Sequence, residues 1–178
     1  MNKDISQFAN DSVYKGIMKT VSQEVSDLSL EFPKQVDTGL SWIENLKKRS
    51  VTWIKTEKIL DRLTLEERQS QKQKNYIEAA VCKRIIDNLS ESCIDTARIT
   101  VMTPFLDQAS LLRTHLSQYG VRVVTFDKGQ ALDCDIVIVS CSKQTAEKGA
   151  CNKELRHINV ALTRARMSLI IIGSEKYL

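Results

Sequence analysis

The chain has 178 residues and a formal net charge of +4, with 42% hydrophobic and 27% charged residues. This is the composition of an ordinary folded protein, and it excludes long disorder, collagen and a coiled-coil rod. The longest apolar runs, 136–139 and 169–172, fall far short of the roughly 20 residues that a membrane-spanning helix needs. The N-terminus lacks the apolar stretch of a secretory signal, so we expect a reducing intracellular compartment.

The five cysteines and two histidines lack the spacing of a metal site. No two cysteines form the C-x-x-C pair that begins a zinc or iron–sulfur site. We therefore expect no metal ligands, and cysteines that behave as small apolar residues in or near strands. His115 and His157 fall in helical segments without catalytic partners, which predicts ordinary helix residues.

Charge is unevenly distributed along the chain. Residues 46–74 carry 9 basic and 4 acidic side chains, and residues 143–166 carry 6 basic and 2 acidic ones. Either stretch could meet a polyanion, but a lysine-rich stretch can equally be a solvated surface.

The first 74 residues give weak structural signals. Residues 1–20 could open with a short helix, and the polar, serine-rich stretch that follows to Glu31 is predicted to be irregular. Residues 51–54 have the β-branched and aromatic content of a short strand. Residues 65–74 are typical of an exposed helix or loop.

From Asn75 the pattern is clearer. Asn75 can cap a helix whose apolar side chains recur at helical spacing. Those side chains are Ile77, Ala80, Val81, Ile85 and Leu89. A strand is predicted over 98–103, ended by Pro104, and a helix over 106–118, with Leu111, Leu112 and Leu116 on one face, ended by Gly120.

The last third of the chain alternates in the same way. We predict strands over 121–125, 135–140 and 168–172, a polar loop over 127–134 and a helix over 155–165. The inward positions of that helix are Leu155, Ile158, Leu162 and Ala165. Strands that are apolar throughout and alternate with helices predict an α/β fold, a parallel sheet with helices on both faces.

Three strands end in a hydroxyl side chain, at Thr103, Thr125 and Ser140. Because ligands of such folds collect at the carboxyl ends of the strands, this edge is predicted to be the working edge. The six glycines form neither G-x-x-x-x-G-K-[ST] nor G-x-G-x-x-G. We therefore expect that this chain alone cannot cradle a triphosphate in the usual way.

Several motifs, in family order, resemble those of superfamily 1 helicases of the Upf-like group. Residues 159–166 (NVALTRAR) with the strand 169–173 resemble motif VI. Residues 125–128, Gln130 and Asp133 with the strand 136–140 resemble motif V.

Weaker matches extend the resemblance over nearly the whole chain. Residues 103–105 with Gln108 resemble T-P-Y-x-x-Q, and Asn75-x-x-Glu78-Ala79 resembles N-x-x-E-A. Residues 1–16 resemble the stretch after the family's Q-Y-R-M motif, and 51–57 resemble its V-x-F-L-N-T-D strand. These two features are most similar to the replication helicase/nuclease type.

The resemblance implies a RecA-like second helicase lobe that lacks the P-loop of the first lobe. Residues 1–74 would form the N-terminal part of the lobe, with irregular or inserted segments, and 75–178 the core with motifs IV, V and VI. It further implies ATP and Mg²⁺ bound mainly through an absent first lobe, single-stranded DNA as partner, and a nuclear or also mitochondrial location.

The resemblance also implies site residues. Arg164 matches the arginine finger, a guanidinium that stabilises the γ-phosphate from a neighbouring lobe. Gln130, Asp133 and Arg166 would approach the nucleotide, although Asp133 is also explained as a solvated loop residue. We expect Arg166, two residues beyond Arg164, to leave the helical face of Arg164 and to assist or pack.

Four further residues are implied to contact nucleic acid. They are Thr103, Pro104, Phe105 and Thr125. Threonine hydroxyls can hold phosphates and Phe105 can stack on a base, although Phe105 could equally be a core residue.

The motif V segment departs from the family pattern. Gly129 stands where the family has an aromatic residue, Ala131 where it has glycine, and Lys143 replaces an arginine. Because alanine disfavours positive φ, the loop must either take another path or carry strain. A degenerate lobe that acts as a binding or scaffold module therefore stays open, as does an RNA helicase lobe of the same group.

Overall fold

The computed structural model describes residues 1–17, 22–33, 45, 48–56, 74–142 and 159–173. Five strands form its sheet. They are β1 (Val51–Lys55), β2 (Ile99–Thr103), β3 (Arg122–Thr125), β4 (Cys134–Ser140) and β5 (Ala165–Gly173). The strand order is β1-β5-β4-β2-β3 and every pair is parallel. The predicted RecA-like α/β fold is confirmed.

Five α-helices have both ends in the described residues. They are α1 (Lys3–Ala9), α2 (Gln23–Ser26), α3 (Tyr76–Glu91), α4 (Leu106–His115) and α5 (Phe126–Gly129). A π-helix, Asn10–Tyr14, continues α1, and 3₁₀ turns at Thr96–Arg98 and Ser117–Tyr119 precede β2 and follow α4. In the part of the chain described, no helix is long and apolar enough to cross a membrane.

The sheet is covered on both faces, as the apolar strands require. On one face, side chains of α3 and α4 such as Ile85 and Leu112 pack on Val101 and Ile138. On the other face, Ile5 of α1, Phe126 of α5 and Leu162 pack with residues of β4 and β5. The first residues of the chain therefore belong to the same core as the last strand.

Helix α3 begins as predicted, because the Asn75 side chain accepts a hydrogen bond from the Glu78 backbone N–H at 3.0 Å. Its buried face is rotated from the predicted one. Ala80 is exposed, whereas Glu78 and Cys82 are buried. Ile85 and Leu89 are buried as predicted, so the prediction is wrong only in the first half of the helix, where the Glu78 carboxyl group lies inward.

Two boundaries near the C-terminal strand also differ from prediction. Residues 159–162 are helical, but β5 begins at Ala165, which pairs with Cys134. The prediction that the helix reaches Ala165 is therefore wrong, since pairing along β4 takes this residue into the sheet. Leu162 is buried as predicted, whereas the predicted helix start at residue 155 lies outside the described residues.

The segment between β3 and β4 is not the fully irregular loop that was predicted. It forms α5, with Phe126 buried at its start. A Cβ atom on Gly129 would lie 2.9 Å from the Met102 Cε atom, so a larger residue at this position requires the end of the Met102 side chain to move. Ala131 is not among the residues with positive φ. Of the two alternatives, another path and strain, the structure shows another path.

Helix α3 ends in a left-handed residue that is not glycine. Cys93 has φ 62°, and its N–H donates to the Ser90 carbonyl while the Ile94 N–H donates to the Leu89 carbonyl. This is the Schellman arrangement, in which glycine is the preferred residue. We expect Cys93→Gly to raise the free energy of unfolding by about 0.5–1 kcal/mol, measured by urea denaturation. Cys93→Ala is the control, because it removes the thiol but keeps the Cβ atom; an equal gain in both variants would contradict the explanation.

Candidate functional site: two edges of the parallel sheet

The predicted site residues fall on two opposite edges of the sheet, not on one. Asp133 and Arg164 directly precede β4 and β5, so they lie at the amino ends of these strands. Thr103 and Thr125 end β2 and β3 at the carboxyl edge. The expectation of a single working edge is therefore incomplete, because the nucleotide residues named by the resemblance lie at the other end of the strands.

Arg164 is fixed at the amino edge by two neighbours. One terminal nitrogen donates to the Gln130 carbonyl at 3.0 Å, and the other donates to the Thr163 hydroxyl at 3.1 Å. That hydroxyl in turn donates into the preceding turn, to the Asn159 carbonyl at 3.0 Å. The guanidinium therefore joins the segment before β4 to the turn before β5.

The same guanidinium keeps hydrogen-bonding capacity. Its Nε atom is buried and finds no hydrogen-bond partner among the described residues. An arginine has five N–H donors, and a phosphate offers several acceptor oxygens in matching geometry. The remaining N–H groups on the terminal nitrogens of Arg164 are of the type that binds a phosphate group.

Gln130 and Asp133 lie beside Arg164 with exposed side chains. Gln130 contacts Arg164 through its backbone carbonyl. The Asp133 carboxylate is exposed and can accept hydrogen bonds from hydroxyl groups, as contact with a ribose would require.

Arg166 does not join this group by a direct contact. It lies in β5, half exposed, and its guanidinium is 3.5 Å from the Asp135 carboxylate. Asp135 also accepts from Arg98 at 2.8 Å. As expected, Arg166 leaves the face of Arg164, although the cause is the entry into β5 and not helical spacing. Exposed pairs of this kind contribute about 0–1 kcal/mol to stability.

The carboxyl edge carries a pocket of about 620 Å³ between the ends of β2 and β3. Its lining residues are Pro104, Phe105, Leu106, Asp107, Thr125, Asp127 and Lys128. Phe105 is half buried and belongs to neither core cluster. Leu106 is 67% exposed. The pocket thus combines an apolar wall, on which a base could stack, with one basic and two acidic side chains, Lys128, Asp107 and Asp127.

Thr103 is placed differently from Thr125. Its side chain is fully buried, and its hydroxyl lies 3.3 Å from the Ser142 hydroxyl. The hydroxyl that was expected to meet a phosphate therefore faces the protein interior, while Thr125 lines the pocket.

Behind this edge lies a buried polar junction that the sequence analysis did not single out. Glu78 of α3 is 1% exposed. Its carboxylate accepts from the Asn75 amide at 3.0 Å, the Ser140 hydroxyl at 2.6 Å and the Ser142 backbone N–H at 2.9 Å. Burial raises the pKa of Glu78 from its usual 4.5 to about 7, although the Ser140 and Ser142 donors lower it.

Gln108 of α4 completes the junction. Its amide oxygen accepts from the Asn75 N–H at 2.7 Å, and its amide nitrogen donates to the Ser140 hydroxyl at 3.1 Å and to the Asn75 carbonyl at 3.1 Å. Three elements, α3, α4 and the end of β4, are thus joined by hydrogen bonds that the Glu78 and Gln108 side chains make. The signal that could have revealed this lay in the two motifs N-x-x-E-A and T-P-x-x-x-Q, which carry two buried polar residues each.

The prediction that the cysteines are apolar residues in or near strands holds in part. Cys134 and Cys141 are buried in or directly after β4, whereas Cys82 is buried in α3 and Cys93 is exposed. His115 is half buried and its Nδ1 atom lies 3.0 Å from the Leu111 carbonyl, as in an ordinary helix residue. His157 and Cys151 lie outside the described residues. Among the described residues, no three metal-ligating side chains lie together.

Comparisons with known proteins place this fold in a family. The chain is 28% identical to the DNA replication ATP-dependent helicase/nuclease JHS1 of Arabidopsis thaliana, over 100% of the chain and 14% of that protein. It is 28% identical to the DNA replication ATP-dependent helicase/nuclease DNA2 of Saccharomyces cerevisiae, over 97% and 12%. It is 24% identical to the ATP-dependent helicase upf1 of Schizosaccharomyces pombe, over 100% and 19%.

The chain therefore spans less than a fifth of the length of these relatives. A family model described as an AAA domain matches residues 1–176, which is nearly the whole chain. The chain belongs to this AAA domain family of superfamily 1 helicases.

Proposed function

We propose that this chain is the C-terminal motor lobe of an ATP-dependent DNA helicase of the replication helicase/nuclease type. In this proposal residues 1–74 and 75–178 form one lobe. The amino edge meets the nucleotide held by a first lobe, and the carboxyl edge contributes to the track of a single strand. The anchored guanidinium of Arg164 is the observation that carries the proposal.

At the amino edge, the chain supplies positive charge for the phosphate groups of the nucleotide. ATP with Mg²⁺, held mainly by the first lobe, supplies the phosphoryl group for hydrolysis. Arg164 offers its remaining N–H donors to the phosphate oxygens, and its two anchors hold the guanidinium in place before the lobes close. Asp133 and Gln130, which are exposed, would hold the ribose, and Arg166 would act from β5 as an assisting charge.

At the carboxyl edge, the chain supplies a surface that contacts the nucleic-acid strand. Phe105 offers an aromatic face, and Lys128 and the Thr125 hydroxyl offer donors to a phosphate. Pro104 fixes the direction in which the chain leaves β2 toward Phe105. The Thr103 hydroxyl lies behind this surface and contributes to it only indirectly, through its contact with the Ser142 hydroxyl.

Two other readings remain as alternatives. A scaffold lobe was suggested by Gly129 and Ala131, and the unstrained path of this segment weakens the argument from strain. An RNA helicase lobe of the same group is the second alternative. Phosphate contacts do not distinguish DNA from RNA unless a 2′-hydroxyl is read. The proposal includes a nuclear location and also a mitochondrial one, and these rest on the family resemblance.

The nucleic-acid part is tested by removing the aromatic face. We expect Phe105→Ala to weaken binding of a single-stranded oligonucleotide by about 5- to 150-fold, since stacking of one base is worth about 1–3 kcal/mol. Fluorescence anisotropy with a labelled DNA strand measures the affinity, and unlabelled RNA of the same sequence serves as competitor.

Tyr76→Ala is the matched control for this test. Tyr76 is an aromatic residue, 50% exposed, that does not line the pocket. Equal weakening by Phe105→Ala and Tyr76→Ala would contradict a binding role for the pocket. Stronger competition by RNA than by DNA would favour the RNA alternative.

A further inference from the structure

The buried Glu78 carboxylate is connected to the carboxyl edge by a chain of hydroxyl groups. Glu78 accepts from Ser140 at 2.6 Å, the Ser140 and Ser142 hydroxyls lie 3.4 Å apart, and the Ser142 and Thr103 hydroxyls lie 3.3 Å apart. All of these side chains are buried. Thr103 directly precedes Pro104 and Phe105, which line the pocket.

The backbone shows that this connection holds an unusual conformation. Ser142 has φ 59°, in the left-handed region that disfavours a residue with a Cβ atom. Its N–H donates to the Glu78 carboxylate at 2.9 Å. A charged acceptor makes a stronger hydrogen bond than a neutral one, so the carboxylate offsets part of the cost of this conformation.

The direction of the hydroxyl chain depends on the state of the carboxyl group. As a carboxylate, Glu78 can only accept, so Ser140 donates to it, Ser142 can donate to Ser140, and Thr103 can donate to Ser142. A proton on the same oxygen reverses the chain. Glu78 then donates to Ser140, Ser140 to Ser142, and Ser142 to Thr103. No covalent bond other than O–H is made or broken, and the proton comes from water.

We propose that Glu78 is a positioning residue of the carboxyl edge, which acts through Ser140 and Ser142 on Thr103 and so sets the arrangement of the pocket behind Phe105. As far as it concerns nucleic acid, this inference rests on the proposed function. The hydroxyl relay itself does not depend on the proposed function.

The surroundings of Glu78 allow its titration to be followed alone. Among the described residues, the titratable groups that face it are Cys82 on its own helix and Cys141 after β4. Burial raises the pKa of both thiols well above the usual 9.0, so they stay protonated where the carboxyl group titrates. The residues of α4 and β2 that connect to Glu78 are uncharged. Gln108 does so through the Ser140 hydroxyl, and Thr103 does so through the Ser142 hydroxyl.

The relay is tested by nuclear magnetic resonance of the 178-residue chain between pH 5 and 9, a range of about two pH units on either side of the Glu78 pKa. In the wild type we expect the backbone amides of Ser142 and Thr103 to shift with a common midpoint near pH 7. Both shifts should be lost in Glu78→Gln and kept in Glu91→Gln, which removes an exposed carboxyl group from the end of the same helix.

Ser142→Ala separates the relay from a general structural effect. It removes the hydroxyl but keeps the backbone N–H, so the amide at position 142 should still titrate while the amide of Thr103 no longer does. Titration of Thr103 in Ser142→Ala equal to that in the wild type would overturn the proposal, as would the absence of any response at Thr103 in the wild type.

The affinity for an oligothymidylate of about 15 nucleotides is measured over the same pH range. We expect the wild-type affinity to change with the midpoint of Thr103, and the affinity of Glu78→Gln to lack this change. If the wild type binds at no pH while Thr103 titrates, the nucleic-acid role of the pocket fails and the relay stands. If binding changes with pH equally in Glu78→Gln, the link from Glu78 to the pocket is overturned.

Discussion

Replacing Arg164 by lysine in a two-lobed motor that contains this chain is expected to lower kcat for ATP hydrolysis by about 10³- to 10⁵-fold, the range found for arginine fingers. The fall in kcat should far exceed any change in KM, because the interaction is made with charge that develops in the transition state. Steady-state ATPase assays at saturating single-stranded DNA measure both constants.

The structural reason is that lysine cannot replace the geometry of the guanidinium. Arg164 uses two terminal nitrogens to bind the Gln130 carbonyl and the Thr163 hydroxyl, and it still has N–H groups left for phosphate. An ammonium is a single point with three donors, so it cannot keep both anchors and bind two phosphate oxygens at once.

Two controls separate this role from loss of fold or charge. Arg84→Lys makes the same exchange at an exposed position of α3, away from both edges, and should leave kcat unchanged. The isolated 178-residue chain should hydrolyse no ATP with or without Arg164. Activity in the isolated wild-type chain, or an unchanged kcat in Arg164→Lys, would contradict the proposed function.

The fold was largely predictable because buried parallel strands are apolar throughout. The strands around Val101, Val137 and Ile170 were each recognised from this pattern, with boundaries that differ by one to three residues from those of the structure. The short helix at Phe126 was not, since four residues carry too little periodicity to distinguish a helical turn from a loop.

The candidate site was predictable only in part. The motif resemblance named Gln130 and Arg164, and the structure brings these two into contact across 34 positions of sequence. What the sequence could not show is that Thr103 turns its hydroxyl inward. Hydrogen bonds between side chains on different elements depend on register and rotamer, and neither has a signal in local composition.

Glu78 illustrates the same limit, because its burial also has no signal in the local sequence. A carboxylate at this position of an amphipathic helix is normally assigned to the solvent face, because burying a charge is unfavourable unless it is paired or hydrogen-bonded. Here the donors from Asn75, Ser140 and Ser142 come from residues 3, 62 and 64 positions away. Only the folded chain assembles them.

The burial of Glu78 predicts a pH dependence of stability with a definite sign. Its pKa is about 7 in the folded protein against the usual 4.5, so the folded state binds the proton more tightly than the unfolded state. The stabilisation from this group is therefore complete below pH 4.5 and is lost as the pH rises to about 7. The difference between the two values corresponds to about 3 kcal/mol.

We therefore expect the free energy of unfolding of the wild type to fall by about 3 kcal/mol relative to that of Glu78→Gln between pH 4.5 and pH 8. Urea denaturation at each pH measures both proteins, and the difference cancels the carboxyl groups that they share. Glu91→Gln is the control, and its curve should run parallel to the wild type. Parallel curves for the wild type and Glu78→Gln would mean that Glu78 does not titrate in this range, and a wild-type curve that rises relative to the variant would mean that its carboxylate is favoured by folding. Since the Ser140 hydroxyl lowers the pKa of Glu78, its removal in Ser140→Ala should raise that pKa further, so that the total fall in the free energy of unfolding becomes larger and extends to higher pH.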